Sequence, residues 1–595
     1  MKLRPIKRAS VFLNFFLSFL SVKGLSLVPP VRERPSFLRT NPQSALWFFL
    51  FLILWIGPAY LSAAASSKQK RTALGISFFY WICSFLGYFF KTWGTVTFSG
   101  WDGISNTINF ICYEIGLFCL FYAFVLLLIV LLDKYRAASV PGGMTASSKK
   151  LFILSVCFLL ICWAPWFLQG APLTATGDSN NHISQAAGTI PLMENHPILY
   201  TLYIRLLFTI GGSTQAGAFL YSILQLVISA AVFSASVCFA DRIFQRRTVT
   251  LGMIFWFALY PFFPLYGITM WKDIFFGVLI SLIVLNICML RIADGSQQKK
   301  LLIHNVFLSL LLCFIRHNGI LIYIPTAIVL TLVCKRFRKF YASLCLGTIA
   351  FYLLVQFVVI PLSGVLTWRN SEGFSIPLQQ IARAVFYDPD SLTDEQRQVI
   401  SDHFYGKKLE DLYNPVLSNN VKYALNEQAF EQDPQPMIRL WLELGKTHPK
   451  AFIEAPLINS YGYWYPEAVK LNNVAFGMNY DNFCGIHPQP LIRLAVLEKI
   501  IDFMYNDRYY TVPVLSWMFT PGLYAWILFF LWKYSRYSKN RFLPAFVPLL
   551  SLWIQMLGCP AFCELRYVYG LVTALPVLMC CALIPLPDDG KPLSL

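Results

Sequence analysis

Apolar runs of about 16 to 26 residues recur along the chain, split by short polar connectors, and stretches such as "FYAFVLLLIVLL" (121–132) are apolar on every face. A helix crosses the hydrocarbon core with about 20 such residues, whereas a transmembrane β-barrel needs segments of about 10 with alternating polarity. The pattern predicts an all-α polytopic membrane protein with about thirteen or fourteen transmembrane helices. The opening "MKLRPIKRASVFLNFFLSFLS" has the charge and length of a signal peptide, but no small-residue cleavage site follows before "VPPVRERP". An uncleaved anchor or interfacial helix is expected there.

Basic connectors orient the chain, because cytoplasmic loops collect Lys and Arg. With "DKYRAASVPGGMTASSKK" (133–150) inside, the span at about 151–168 runs outward and "TATGDSNNHISQAAGTIPLMENHPILYTLY" (174–203) opens on the outer face. If "HPILYTLYIRLLFTIGG" (196–212) crossed, every later basic loop would fall outside. A short helix lying on or dipping into the outer surface, with Arg205 in its middle, avoids this. "DRIFQRRT", "RIADGSQQKK", "KRFRKF" and "KYSRYSKNR" then lie inside, while "YGITMWKD", "RHNG" and "CPAFCELRY" lie outside.

Composition adds a boundary. Residues 363–510 hold 18 of the 30 acidic residues, which marks an aqueous, mainly helical outer domain between late spans. Four parts are expected: a membrane appendage of about four spans (1–135), a membrane core (136–362) with a first outer loop at 169–215, the extracytoplasmic domain (363–512), and three closing spans (513–595). With 57% hydrophobic and 13% charged residues the chain falls outside the soluble globular range. The net charge of +18 sits in connectors, with no separate basic and aromatic module, so membrane lipids rather than nucleic acid are the expected partners. The fifteen Cys lie mostly inside apolar runs and show neither a disulfide framework nor metal-ligand spacing.

Ionisable groups near hydrocarbon are costly. Five clusters fall at the outer ends of the spans: Asp178 with His182, Glu194 and His196; Lys272 and Asp273; Arg316 and His317; Gln379, Gln380 and Arg383; Glu564 and Arg566. Singly, each has an ordinary reading. Asp178 suits a helix N-cap, Glu564 and Arg566 neutralise each other, and Gln379, Gln380 and Arg383 suit hydrogen bonds within the outer domain. Together they suggest one site between the spans and that domain. Its cations would hold a phosphate at headgroup depth and its carboxylates would take a proton from an attacking hydroxyl. Asp178, His182, Glu194 and His196 also form a candidate divalent-metal set.

This order of features resembles the GT-C superfamily, the polytopic glycosyltransferases that use polyprenyl-phosphate-linked sugars, including protein mannosyltransferase and aminoarabinose transferase relatives. The resemblance covers roughly residues 151–590. It rests on a span, an outer loop with an acid ("TATGDSNNH"), "HPIL" in place of the family's "HPPL", and a late outer domain. It implies a glycosyltransferase of the cell membrane, acting on its extracytoplasmic face. A polyprenyl-phosphate sugar would be the donor and an envelope glycan, lipid or protein the acceptor. It further implies Asp178 as base or acceptor-site carboxylate and Asp273 as a second acid. His196, Lys272, Arg316, His317, Gln379, Gln380, Arg383, Glu564 and Arg566 are then candidates for substrate or phosphate binding. "DSN" stands where the family has paired acids, and Ile198 where it has a second Pro. The competing readings are a transporter or flippase of envelope lipids or glycans, and an acyltransferase with His317 as its base. Transporters usually carry repeated halves and polar interruptions near the midplane, whereas these clusters lie at one edge.

Overall fold

The computed structural model describes residues 8–27, 47, 49–53, 65–98, 104–138, 149–194, 196–293, 295–366, 373–468, 474–477, 484–512, 515–540, 542–559 and 561–583. Among these the chain is helical, and extended pairing is limited to isolated bridges. Among the described residues eight helices are long and apolar enough to cross a membrane: Ser67–Trp93, Ile104–Tyr135, Lys149–Gly170, Thr214–Phe244, Lys272–Leu290, Gly295–Ile315, Lys335–Leu362 and Leu565–Leu583. The protein is therefore an all-α polytopic membrane protein. Apolar runs outnumber helices of spanning length because several run as shorter helices, including Ile198–Gly211, Arg247–Leu259, His317–Val333 and Leu543–Gly558. The apolar run near residues 54–64 lies outside the described residues.

The N-terminal helix Arg8–Ser26 packs along Ile104–Ala138. Two glycines allow the close approach. A Cβ on Gly24 would stand 2.1 Å from the Cys112 carbonyl oxygen, and one on Gly116 2.6 Å from that of Ser21. Small residues at such crossings let backbones pack directly in membranes.

The basic connectors meet at one end. Lys68 donates to the Tyr537 carbonyl at 2.6 Å, and Asp133 accepts from Gln69, Tyr534 and Tyr537. Arg246 lies over the Tyr135 ring and Lys299 over Phe340. At the opposite end the first outer loop is zipped to the connector before Lys272: Thr174 donates to the Ile268 carbonyl and accepts from Met270 N–H. The helix Ile198–Gly211 has 14 residues, about 21 Å at 1.5 Å per residue, shorter than the hydrocarbon core. Its Arg205 caps the preceding helix by donating to the carbonyls of Gln185 and Ala186.

The region expected outside the membrane has two parts. Residues from Leu378 to Phe452 form their own core, built on Ile381, Val385, Phe404, Met437 and Leu440. From Ile458 onward, Tyr463, Trp464, Val474, Met504 and Tyr509 belong to the core of the spans. That second part brings the outer domain against the first outer loop.

Candidate functional site

The helix Gly177–Ala187 begins at Thr176, which forms a capping box with Ser179; Ser179 Oγ in turn donates to the Met270 carbonyl. Thr176 thus takes the N-cap position that Asp178 was suited to, its N–H donating to Ser179 Oγ, and Asp178, in the first turn, turns to Arg566. Arg566 Nη1 lies 2.9 Å from Asp178 Oδ2 and 4.0 Å from Asp273 Oδ2, and its Nε lies 3.3 Å from Glu564. Asp273 also meets Arg316 Nη1 at 2.6 Å. The result is a chain of alternating charge, Asp178, Arg566, Asp273, Arg316, drawn from four loops at one end of the bundle. Alternation is what makes such a cluster tolerable, because a buried charge without a partner is heavily penalised.

Aromatic rings fix the guanidinium planes. Arg566 lies 4.7 Å over Trp271 and 4.9 Å over Tyr567, and Arg316 lies 4.6 Å over the same Tyr567 ring. Trp271 is itself held by its Nε1–H donating to Thr176 Oγ1 at 2.8 Å. Beside this chain, Lys272 Nζ is 2.5 Å from His196 Nδ1. The His196 ring lies against His182 at a tilt, centroids 4.9 Å apart, and His182 Nδ1 pairs with Thr201 Oγ1. Glu194 accepts from Gln356 at 3.1 Å and lies 3.7 Å from His317 Nε2. Gln356 stands in the π-helical stretch Val355–Val359, a local widening that recurs at functional sites.

Burial pushes the Asp178 carboxyl up, but the charges of Arg566, Lys272 and His196 and the Arg566 hydrogen bond outweigh it and hold the group well below the usual carboxylate range. Burial and the neighbouring Lys272 push His196 down to about 4 and His182 down as well, so both rings are neutral near pH 7. Burial raises Glu194, opposed by the Gln356 hydrogen bond.

A cavity of about 440 Å³ opens on this cluster, lined among the described residues by Thr176, Gly177, Asp178, Trp271, Val474, Ala475, Tyr505, Glu564 and Arg566. The first outer loop, two later outer loops and the outer domain all contribute. Of the residues singled out from the sequence, Asp178, Asp273, His196, Lys272, Arg316, His317, Glu564 and Arg566 gather here. Gln379, Gln380 and Arg383 do not. Gln379 donates to the Asn414 carbonyl; Gln380 donates to the Phe452 carbonyl and accepts from Trp441. Arg383 is buried against Glu454, Tyr413 and the Gly94 carbonyl. All three side chains are spent within or beneath the outer domain. The candidate metal set is not assembled either, since Glu194 turns to Gln356 and His182 to Thr201; no group of three or more His, Cys, Asp or Glu among the described residues is placed to hold an ion.

Trp271, Tyr505 and Gln356 were not singled out from the sequence. Trp271 carried a signal in its position directly before Lys272, whereas Tyr505 and Gln356 are aromatic or polar residues without distinguishing neighbours.

A family match spans residues 186–584. The chain belongs to DUF6020, a family of unknown function. The DUF6020 match takes in Lys272, Asp273, Arg316, Glu564 and Arg566, begins eight residues after Asp178 (186 minus 178), and leaves the N-terminal appendage outside. No curated protein and no solved structure matches the chain.

Proposed function

We propose that this DUF6020 protein is a GT-C-like membrane glycosyltransferase of the cell membrane. On this reading it moves a sugar from a polyprenyl-phosphate donor to an acceptor on the outer face. The observation that carries the reading is the alternating chain from Asp178 to Arg316, with its acidic end in an open cavity and its cationic end at the mouth of the spans. An anionic lipid head would meet Lys272 and Arg316, and an acceptor hydroxyl would meet Asp178.

The acceptor oxygen attacks the anomeric carbon, the carbon–oxygen bond to phosphate breaks, and the lipid phosphate leaves with the electron pair. Positive charge develops on the sugar ring, and the ionised Asp178 stabilises it. A carboxylate with so low a proton affinity is a weak base toward a free hydroxyl. The hydroxyl grows strongly acidic once its oxygen bonds to carbon, so Asp178 takes the proton late. Arg566 and Trp271 keep the carboxylate aimed, and positioning supplies much of the rate.

The test is release of radiolabelled sugar from polyprenyl-phosphate donors by membranes holding the wild type or Asp178→Asn. The variant should lose about 10²-fold or more in turnover. Normal turnover by the variant would remove Asp178 from the reaction.

A further inference from the structure

The charges in the cavity are sorted by their access to water. The Asp178 side chain is 45% exposed, while Arg566 and Arg316 are each 13% exposed. Arg566 lines the cavity, but each of its nitrogens is already engaged, Nη1 by Asp178, Nε by Glu564 and Nη2 by the Tyr567 hydroxyl. Its planar faces are also covered, by the rings of Trp271 and Tyr567. The Lys272 amine is engaged by His196. Among the described residues lining the cavity, then, Asp178 is the charge most open to water, while Glu564 and Arg566 are about equally shielded.

Among the described residues the remaining walls are aromatic and small apolar, with the Thr176 hydroxyl between them. Trp271 is held by its Nε1–H donating to Thr176, Tyr505 is an exposed ring in the same lining, and Val474 and Ala475 add no charge. Aromatic faces pack on the C–H surfaces of ring compounds, and carboxylates accept hydrogen bonds from hydroxyl and ammonium groups. A volume of about 440 Å³ falls within the range of about 300–1,000 Å³ seen for small-ligand sites. It admits one or two sugar rings.

Resting on the transferase reading above, we propose that the cavity is the acceptor subsite and that it selects neutral or positively charged sugars while rejecting anionic ones. The donor phosphate must then come from the far side, where Lys272 and the half-exposed His317 lie. The two substrates approach from opposite ends of the charge chain, sorted by sign. An anion in the cavity would lie beside Asp178 and Glu564, whose repulsion at a few ångströms in a partly solvated site is enough for about tenfold discrimination.

The test uses the full-length protein in lipid nanodiscs and equilibrium binding of four radiolabelled probes: glucosamine, glucose, glucuronate and glucose 6-phosphate. Glucosamine should bind about tenfold more tightly than glucuronate, with glucose between them and glucose 6-phosphate weakest. Asp178→Asn should compress that order, Glu564→Gln should do so in part, and Tyr505→Ala should weaken all four probes alike. Equal or tighter binding of the anionic probes, or binding of none, would overturn the proposal. The two readings fail separately. If the charge order holds while donor is never consumed, the transferase reading falls and the selection stands; if donor is consumed and anionic acceptors are preferred, the reverse is true.

Discussion

Arg566 ties together two acids that meet water very differently: Asp178, 45% exposed, at 2.9 Å, and Asp273, 3% exposed, at 4.0 Å. Asp273 is shared with Arg316, so it neutralises two guanidinium groups at the mouth of the spans. Asp273→Asn leaves both cations short of a partner and should cost about 3–5 kcal/mol of stability. Asp178→Asn removes a pair largely screened by solvent and should cost about 1 kcal/mol or less. Thermal unfolding in detergent checks the difference. Loss of turnover with retained stability is the signature expected of Asp178 alone.

Acid should weaken the site through its histidines. His196 is held down to about 4 by burial and Lys272, against about 6.5 in the unfolded chain. Between those values the unfolded chain binds more protons than the folded one, so stability falls as pH drops from about 6.5 toward 4. His182 shifts in the same direction and adds to the slope. Lys272, Asp178, Asp273 and His317 surround His196, and only the first and last oppose its protonation. Asp178, held low, adds its own loss only below the ordinary carboxylate range near 4. Melting temperatures across this window should show the slope, and His196→Gln should flatten it. An unchanged slope in the variant would move its origin elsewhere.

Arg383 should matter for stability and not for substrate. Its buried guanidinium and the Glu454 carboxylate join the outer domain to the outer connector of the appendage, where Thr95 Oγ1 and Val96 N–H also donate to Glu454. Arg383→Met leaves the buried Glu454 with only the exposed Lys450, 4.0 Å away, as counter-charge, at an expected cost of about 3 kcal/mol. Donor KM should stay within about twofold in whatever fraction remains folded. A rise in KM without loss of stability would return Arg383 to the site.

The glycine crossing of the appendage offers a packing test. Gly24→Val forces a side chain against the Cys112 carbonyl, and Gly116→Val forces one against that of Ser21. Either should cost about 1–3 kcal/mol. Gly75→Ala, whose Cβ meets nothing within 4 Å, is the control and should cost little.

Much of this arrangement was legible in the sequence because its physical cause is local. Spans follow from uninterrupted apolar runs, and which connectors share one end of the bundle follows from where Lys and Arg accumulate. Both put Asp178, Lys272, Asp273, Arg316 and Arg566 at one edge, and that edge is where they meet. Other features depended on partners that spacing does not reveal. Gln379, Gln380 and Arg383 share a helical face aimed into the outer domain's own packing, and only Trp441, Asn414 and Glu454 tell which way it points. Asp178 and Thr176 are both good cap residues, and which of them caps is set by Ser179. Tyr505 reaches the cavity because the chain after Ile458 packs on the spans rather than on the acidic domain before it.

Sidedness carries the whole account, and cysteine labelling in intact cells measures it directly. Gly177→Cys places an exposed thiol beside Asp178, and Lys300→Cys places one on a basic connector at the other end. With a membrane-impermeant maleimide, and the wild-type chain setting the background, Gly177→Cys should label in intact cells and Lys300→Cys only after permeabilisation. Labelling of Lys300→Cys in intact cells, with Gly177→Cys protected until the cells are opened, would contradict the account.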